Sequence, residues 1–544
     1  MSLFGGLYVG NSGLQTSQNA LNTVAHNMVN VDTEGFTRQQ VSQATRFYNT
    51  ISKTNSKVSY QQIGLGVKYT EVKQVRDVFL DKSFRKESGR SGFYDVSCDA
   101  IEEVENIFQE LDGEAFADVL QNLWVSVQEL AKDPSNTVNQ GILVQRCSEF
   151  ATRSSAVYQN LCDYQDDLNF KVKQKVDEIN KLGEEIVKLN ESILKIESSD
   201  VENANDLRDR RNLLIDTLSS YANVNIDTDV DGNYIIQIEG VDFVTVGDCK
   251  RLGLYEDPTT GFYTPYWTQM ASKDSAGRID PDELKKAQVF RTDQTISTEL
   301  NTDIGALKST LVARGDHRAH FTDLQTDVDT YSKFSESVVM NVMAEFDQLV
   351  HDVTTGINRI FEDAANNYDP NPVPNGYLRD ANGNPYKMFV VASNEYSAVS
   401  GIPDDDFTTP NILINDELKQ APSLLGFIRP DGIADQACAD SLKKLFTEET
   451  HTLNPQVKTA TNLLNFYNNL ISQVGNTGYV MRGISSNQQV TVDNIKSARE
   501  QILGVSSDEE LSNMIMFQNA YNASSRYINV VSELLEHIIN TLAI

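Results

Sequence analysis

Three clusters of side chains in this sequence have residue types and spacings that could bind or transform a ligand. Asp227-Thr228-Asp229-Val230-Asp231-Gly232 has the acids and the glycine of the first half of a calcium loop. Such a loop needs a Glu at its twelfth position for bidentate coordination. That position is Ile238, and Glu239 comes one place late. Tyr234, Ile236 and Ile238 alternate as a strand does, so the loop is expected to be a hairpin turn that holds no calcium. His317 and His320, with Asp316 and Asp323 nearby, would face one way on adjacent turns of a helix. Two histidines with no evident third ligand make a poor metal site, and exposed helix polars are expected instead. Asp404-Asp405-Asp406 offers carboxylates, but the chain holds 77 Asp and Glu, so a paired-carboxylate hydrolase has no specific support.

The nucleophile and phosphate motifs GxxxxGK[ST], GxSxG and HExxH do not occur. Cys98, Cys147, Cys162, Cys249 and Cys438 are odd in number and widely spaced, with no CxxC. They fit neither a disulfide framework nor a zinc site and are expected to be free thiols. The expectation is therefore no catalytic residue, no cofactor, no metal and no enzyme. The balance of 46 basic and 77 acidic residues gives a net charge of −31. Phosphate binding needs clustered Lys and Arg, so nucleic acid and anionic membrane surfaces are poor partners. No apolar run approaches the length of a membrane span, and the N-terminus lacks the basic start and apolar run of a secretory signal.

With no chemistry to position, the elements themselves carry the information. The first 31 residues contain no Asp, Glu, Lys or Arg, although the chain is 23% charged; about seven would be expected. Leu7, Leu14, Leu21 and Met28 recur every seventh residue, and Gly10, Ser17, Val24 and Val31 fill the intermediate places. This is the 3-4 spacing of a coiled-coil seam. At the other end Phe517, Tyr521, Ile528, Val531, Leu535, Ile538 and Leu542 keep the same spacing after a helix start at Ser507-Asp508-Glu509-Glu510, with Ser507 as N-cap. Ordinary surface helices carry charge on their outer face. An amide-rich back facing an apolar stripe predicts helices packed on both sides, the two ends most simply with each other. These thirteen positions, serines and glycines aside, are the expected assembly interface. Gly5, Gly6, Gly10 and Gly13 weaken the first helix, so both ends are expected to order on assembly.

Between the ends, helical periods run over 93–220, with one long helix at about 142–196, and return over 303–363 and from about 433. Residues 221–298 and 364–440 hold alternating runs and Pro/Gly turns. The predicted class is multidomain and mainly α with a β-rich insert. Its parts are a terminal coiled-coil assembly domain (1–42 and 505–544), a long-helix bundle core (43–225, 303–363 and 433–504), and β-rich segments that include an outer domain (226–302 and 364–432).

Ala20-Leu21-Asn22-Thr23-Val24-Ala25-His26-Asn27-Met28-Val29-Asn30-Val31-Asp32-Thr33-Glu34-Gly35-Phe36-Thr37-Arg38 resembles the N-terminal signature of the bacterial flagellar axial proteins, and Met516-Phe517-Gln518-Asn519-Ala520-Tyr521-Asn522-Ala523 resembles their C-terminal element. Arg76-Asp77-Val78-Phe79-Leu80, the stretch from Leu123-Trp124 to Leu130-Ala131-Lys132-Asp133-Pro134, and above all Asn205-Asp206-Leu207-Arg208-Asp209-Arg210-Arg211-Asn212-Leu213-Leu214-Ile215-Asp216-Thr217-Leu218-Ser219 are similar to the hook-associated branch of that family, at the hook–filament junction. The resemblance covers roughly 1–225 and 440–544. It implies a secreted, extracellular structural part of the flagellum that serves motility. It implies passage through the flagellar type III export apparatus, an export chaperone, and a homo-oligomeric ring on the hook protein with the second junction protein following. Two alternatives stand beside it. The hook protein itself would be dominated by β domains. A secreted hydrolase with axial-type ends would need the catalytic constellation that this chain lacks.

Overall fold

The structure is a computed structural model that describes residues 3–53, 60–109, 115–198, 202–229, 233–272, 279–292, 294–368, 377–380, 382–392, 406–429 and 431–542. It is mainly helical with small antiparallel sheets. In chain order α1 (Leu3–Val29) leads to β1 (Gln39–Thr45), β2 (Tyr48–Lys53), β3 (Tyr60–Gly64) and β4 (Val67–Gln74). Then come α2 (Val78–Gln109), α3 (Phe116–Lys132), α4 (Thr137–Glu197) and α5 (Asn205–Tyr221). Six strands follow: β5 (Val224–Thr228), β6 (Tyr234–Ile238), β7 (Val241–Thr245), β8 (Asp248–Cys249), β9 (Leu252–Glu256) and β10 (Tyr263–Trp267). After them are α6 (Pro281–Ala287), α7 (Ala306–Arg314), α8 (Val328–Phe334), α9 (Val338–Tyr368), β11 (Phe389–Val391), β12 (Ile412–Ile414), α10 (Asp416–Gln420), α11 (Gln436–Thr447), α12 (Leu463–Leu503) and α13 (Ser507–Leu542).

The described residues form two compact units. One comprises 1–89, 178–251 and 488–544, and it holds both terminal helices. Its sheets are the β1–β4 and β2–β3 pairs and the meander β5-β6-β7-β8. The meander lies on the second half of α4 at Gly183, where a Cβ would come within 2.5 Å of the Phe243 ring and 2.6 Å of Cys249 Sγ. Glycine is therefore needed in that helix despite its cost. Arg211 on α5 stacks 3.7 Å from the centroid of Tyr234.

The other unit comprises 90–177 and 252–487. Its core is helical and aromatic. Phe116 meets Phe346 edge-on at 4.9 Å, and Trp124 stacks on Phe446 at 5.6 Å. The 3-4 pattern along α4 explains its length: Val157, Leu161, Leu168, Val172 and Val176 are all buried in this unit. The carboxylate of Glu345 on α9 is fully buried. It accepts from Tyr331 Oη at 3.1 Å, Asn454 Nδ2 at 2.8 Å and Gln473 Nε2 at 2.9 Å. Burial pushes this carboxyl up to about 6, against the pull of those hydrogen bonds.

A carboxyl raised above its unfolded value favours the folded state when protonated, and that contribution is lost as pH rises through the folded pKa. From this carboxyl the helical unit is therefore expected to gain about 1 kcal/mol on going from about pH 8 to about pH 5. Thermal melts across that window check this, with Glu345→Gln expected to remove its share of the gain, the rest coming from His317, raised to about 10 in the same unit, and an unchanged slope rejecting it. Below that window the balance reverses, because Asp316, held low by its bond to His317, must protonate.

Three expectations from the sequence change at the level of elements. Residues 303–363 are not one helix: α7 stops at Gly315, whose φ is +79°, and a 3-10 turn (Phe321–Leu324), α8 and α9 follow. His317 and His320 therefore lie between helices, not on adjacent turns of one. His317 is pinned by Asp316 at 2.6 Å and Asp323 at 3.2 Å, bonds that raise it to about 10. His320 stacks on Tyr158. Residues 364–432 contribute only the three-residue pair β11–β12 among the described residues. Helix α13 also starts from Ser506, whose Oγ accepts from Glu509 N at 3.5 Å, not from a Ser507 cap.

Asp227, Thr228 and Asp229 end β5 and lead into its antiparallel pair with β6. Both Asp229 carboxylate oxygens accept from Asn233, at 2.9 Å from its backbone N and 3.3 Å from Nδ2. Val230, Asp231 and Gly232 lie outside the described residues, as do Asp404 and Asp405. With Asp229 closing the turn and Ile238 inside the sheet, calorimetric titration with calcium is expected to show no stoichiometric sub-millimolar binding.

Candidate assembly interface

Helix α1 buries one column of small residues: Gly6, Gly10, Ser17, Ala20, Val24 and Asn27, with Gly13 half-buried. The steps alternate four and three, the period of a helix pressed against a helix. The partner is α13, running the opposite way. A Cβ on Gly13 would fall 2.7 Å from Ser524 Oγ, one on Gly10 2.6 Å from Ile528 Cγ1, and one on Gly6 3.4 Å from Val531 Cγ2. At Gly10 and Gly13 a Cβ would displace the partner's side chain, so these glycines let Ile528 and Ser524 seat against the α1 backbone. On α13 the inward column is Glu510, Met514, Phe517, Tyr521, Ser524, Ile528, Val531 and Leu535, of which Glu510 and Val531 are buried and the rest half-buried.

The expected interface residues divide accordingly. Val24 and Val531 are buried in the pair; Phe517, Tyr521, Ile528 and Leu535 are half-buried along it. Leu7, Leu14, Leu21 and Met28 stand one residue beyond the small column and are half-covered. Val31 and Ile538 are each 39% exposed, and the side chain of Leu542 lies outside the described set. The column 6, 13, 20, 27 was visible in the sequence as a heptad of Gly, Gly, Ala and Asn, but apolarity alone does not pick it out. The outer face of α1 carries Phe4, Tyr8, Asn11, Gln15, Asn19, Asn22 and Val29, all exposed and none charged.

Side-chain bonds fix the base of the pair. Asn27 Nδ2 donates to Gln39 O at 2.8 Å while its Oδ1 accepts from Gln39 N at 3.0 Å, which ties α1 to β1. Ser12 Oγ accepts from Val67 N at 3.2 Å, beside Gly66 with its φ of +92°. Arg38 bridges Glu509 at 3.0 Å and Glu510 at 2.8 Å, and its N–H donates to Leu503 O. Below this, Asp209 accepts from Thr37 N at 3.0 Å and Gln74 Nε2 at 2.7 Å. Arg76 clasps Asp81 through two 3.0 Å bonds. Arg499 joins Asp81 at 2.8 Å to Asp216 at 2.6 Å, and Arg85 reaches Asp216 at 2.7 Å. Burial pushes Asp209 up to about 6, whereas Asp81, despite its own burial, is held below the ordinary range by Arg76, Arg499 and Arg85.

Among the described residues no group of His, Cys, Asp and Glu is placed to hold a metal ion, and no helix is long and apolar enough to cross a membrane. The thiols are free and shielded. Burial raises all five, Cys162 and Cys249 to about 11.

Residues 101–366 match the model of the flagellar hook-associated protein FlgK helical domain. Residues 7–37 match the flagella basal body rod protein model, and 501–541 match the flagellar basal body rod FlgEFG protein C-terminal model. Along its whole length the chain is 26% identical to flagellar hook-associated protein 1 of Bacillus subtilis, covering 99% of that protein. This chain belongs to the flagellar hook-associated protein 1 family. The namesake protein of Escherichia coli is 23% identical over 97% of this chain and 98% of its own. In fold, 79% of the chain matches all of the flagellar hook junction protein FlgK of Burkholderia pseudomallei, with a TM-score of 0.53 and 13% identity. The rod-type matches fall on α1 and α13, the helices that pair, and the helical-domain match spans α3 to most of α9.

Proposed function

We infer that this chain is the structural adaptor of the hook–filament junction in a bacterial flagellum. The observation that carries the reading is end-to-end similarity to proteins of that name, together with termini of the axial type. We read the paired ends as a coiled-coil assembly domain, 1–42 with 505–544. The long helices of 43–225, 303–363 and 433–504 act as its bundle core, and the strand-bearing segments as the outward part. Copies join in a ring on the hook protein, with the second junction protein and the filament following. The half-covered Leu7, Leu14, Leu21 and Met28 and the uncharged outer face of α1 then become the surfaces that neighbours cover. The chain works outside the cell, reaches its place through the type III export apparatus with a chaperone, and performs no catalysis.

The uncharged amide face supports this reading, because it gains neighbours at little desolvation cost compared with a charged face. Purified protein added to isolated hooks and viewed by electron microscopy tests it. A distal cap on most hooks is expected, and bare hooks at saturating protein would overturn it.

A further inference from the structure

From Thr459 to Val492 the only charged residue is Arg482. At the chain-wide 23% about eight charges would be expected there. This second uncharged run lies far from the ends, on α12, and nothing in the terminal pairing accounts for it. Within the helical unit α12 is packed on one side only. Val474 is buried there, Gly478 lies so close to Ile101 that a Cβ would meet Cγ2 at 3.0 Å, and Arg482 pairs with Glu105 at 3.1 Å.

The opposite side of α12 is open. Ser472, Asn476, Tyr479, Gly483 and Ser486 are all exposed, and their steps of four, three, four and three repeat the heptad spacing. Tyr479 is 79% exposed, and Val480 beside it is 54% exposed. A Cβ on Gly483 or on Gly475 would meet nothing within 4 Å. Mid-helix glycine costs roughly 0.5–1 kcal/mol relative to alanine. Unlike Gly478, these two are not required by any contact of the chain with itself.

We propose that this face of α12, centred on Tyr479, is a contact between neighbouring copies of this chain, separate from the terminal helices. Charge selects the occupant. At −31 per chain, identical copies repel, and they approach closely only where neither presents acids. An uncharged face flanked by an otherwise acidic chain meets that condition for a second copy. A basic partner would instead be met by carboxylates. The small residues let a helix backbone come near, and Tyr479 with Val480 supplies the apolar anchor that a helix–helix contact needs. The proposal rests on the reading of the chain as a homo-oligomeric flagellar part.

The test uses the full-length chain expressed in its own bacterium with a photo-cross-linking residue at Tyr479, or at the exposed Lys285 as a control position. Sheared flagella are irradiated and cross-linked products are identified by peptide mass spectrometry. The expected result is a product joining two copies of this chain from position 479 and not from 285. A second arm places like charges in the contact with Ser472→Glu and Ser486→Glu. Capped hooks should fall at least about tenfold while the melting curve of the purified chain stays unchanged. If the chain is present in flagella but position 479 yields no homotypic product, or only a product with a different protein, this inference fails alone. If the chain is absent from flagella, the functional reading fails and this contact with it.

Discussion

A Val531→Asp chain is expected to leave hooks uncapped while its helical core melts as the unaltered chain does. Val531 is buried against α1 beside Gly6, where a Cβ would lie 3.4 Å from Val531 Cγ2. A carboxylate buried there loses its hydration, a cost of several kcal/mol. The aromatic core around Phe116, Phe346 and Trp124 belongs to the other unit and is untouched. Hook-capping assays beside calorimetry of the purified chain separate the two effects. A capped hook with Val531→Asp, or loss of the core transition, would contradict the argument. Amide exchange on the unaltered monomer adds the order of events. Rapid exchange over residues 7–31 is expected if the ends order only on assembly, and strong protection there rules that out.

Arg499→Ala is the larger structural lesion. Arg499 touches both Asp81 and Asp216, and its guanidinium lies 4.7 Å from the Phe84 ring centroid. Both acids are at most 12% exposed. Removing the cation leaves Asp216 bonded to Arg85 and Asp81 clasped by Arg76 with Arg85 nearby, so two buried acids share two cations where they shared three. Breaking such a site costs roughly 3–5 kcal/mol. The unit holding the terminal helices should lose that amount in denaturant unfolding, and the loss should shrink as pH falls below the ordinary carboxylate range, where Asp81, held low by its arginines, protonates. Arg499→Lys is expected to recover less than half, since an ammonium cannot span both carboxylates with the fork of a guanidinium. A full-strength Arg499→Ala chain would mean that the network is incidental.

The two halves of the interface were unequally legible. On α13 the apolar spacing from Phe517 to Leu535 names the inward column, because there the large residues face the partner. On α1 the same method selects Leu7, Leu14 and Leu21, while the column pressed against α13 is Gly6, Gly13 and Ala20. Hydrophobic spacing ranks residues by size and apolarity, but a close helix crossing selects for smallness. The carboxylate–arginine network was legible only as a family-like segment at 205–219. Its members are brought together from far apart in the chain, Arg499 lying 283 residues from Asp216 and farther still from Asp81, and no local period marks them. The breaks in 303–363 were hidden for another reason: Gly315 reads as an ordinary glycine until Met340 and Ser337 are seen packed over it.

The shielded thiols have a consequence of their own. With Cys162 and Cys249 raised to about 11, roughly one molecule in ten thousand carries a thiolate at neutral pH at either site, against a few per cent for a thiol in an unfolded chain. Cys147 and Cys438 are buried outright. Cys147, Cys162, Cys249 and Cys438 are therefore reactive toward alkylating reagents while the chain is extended and nearly inert once it is folded, whereas the half-buried Cys98 is shielded less. The native cysteines, without any engineered label, make a clock: the moment at which modification stops is the moment at which each unit closes.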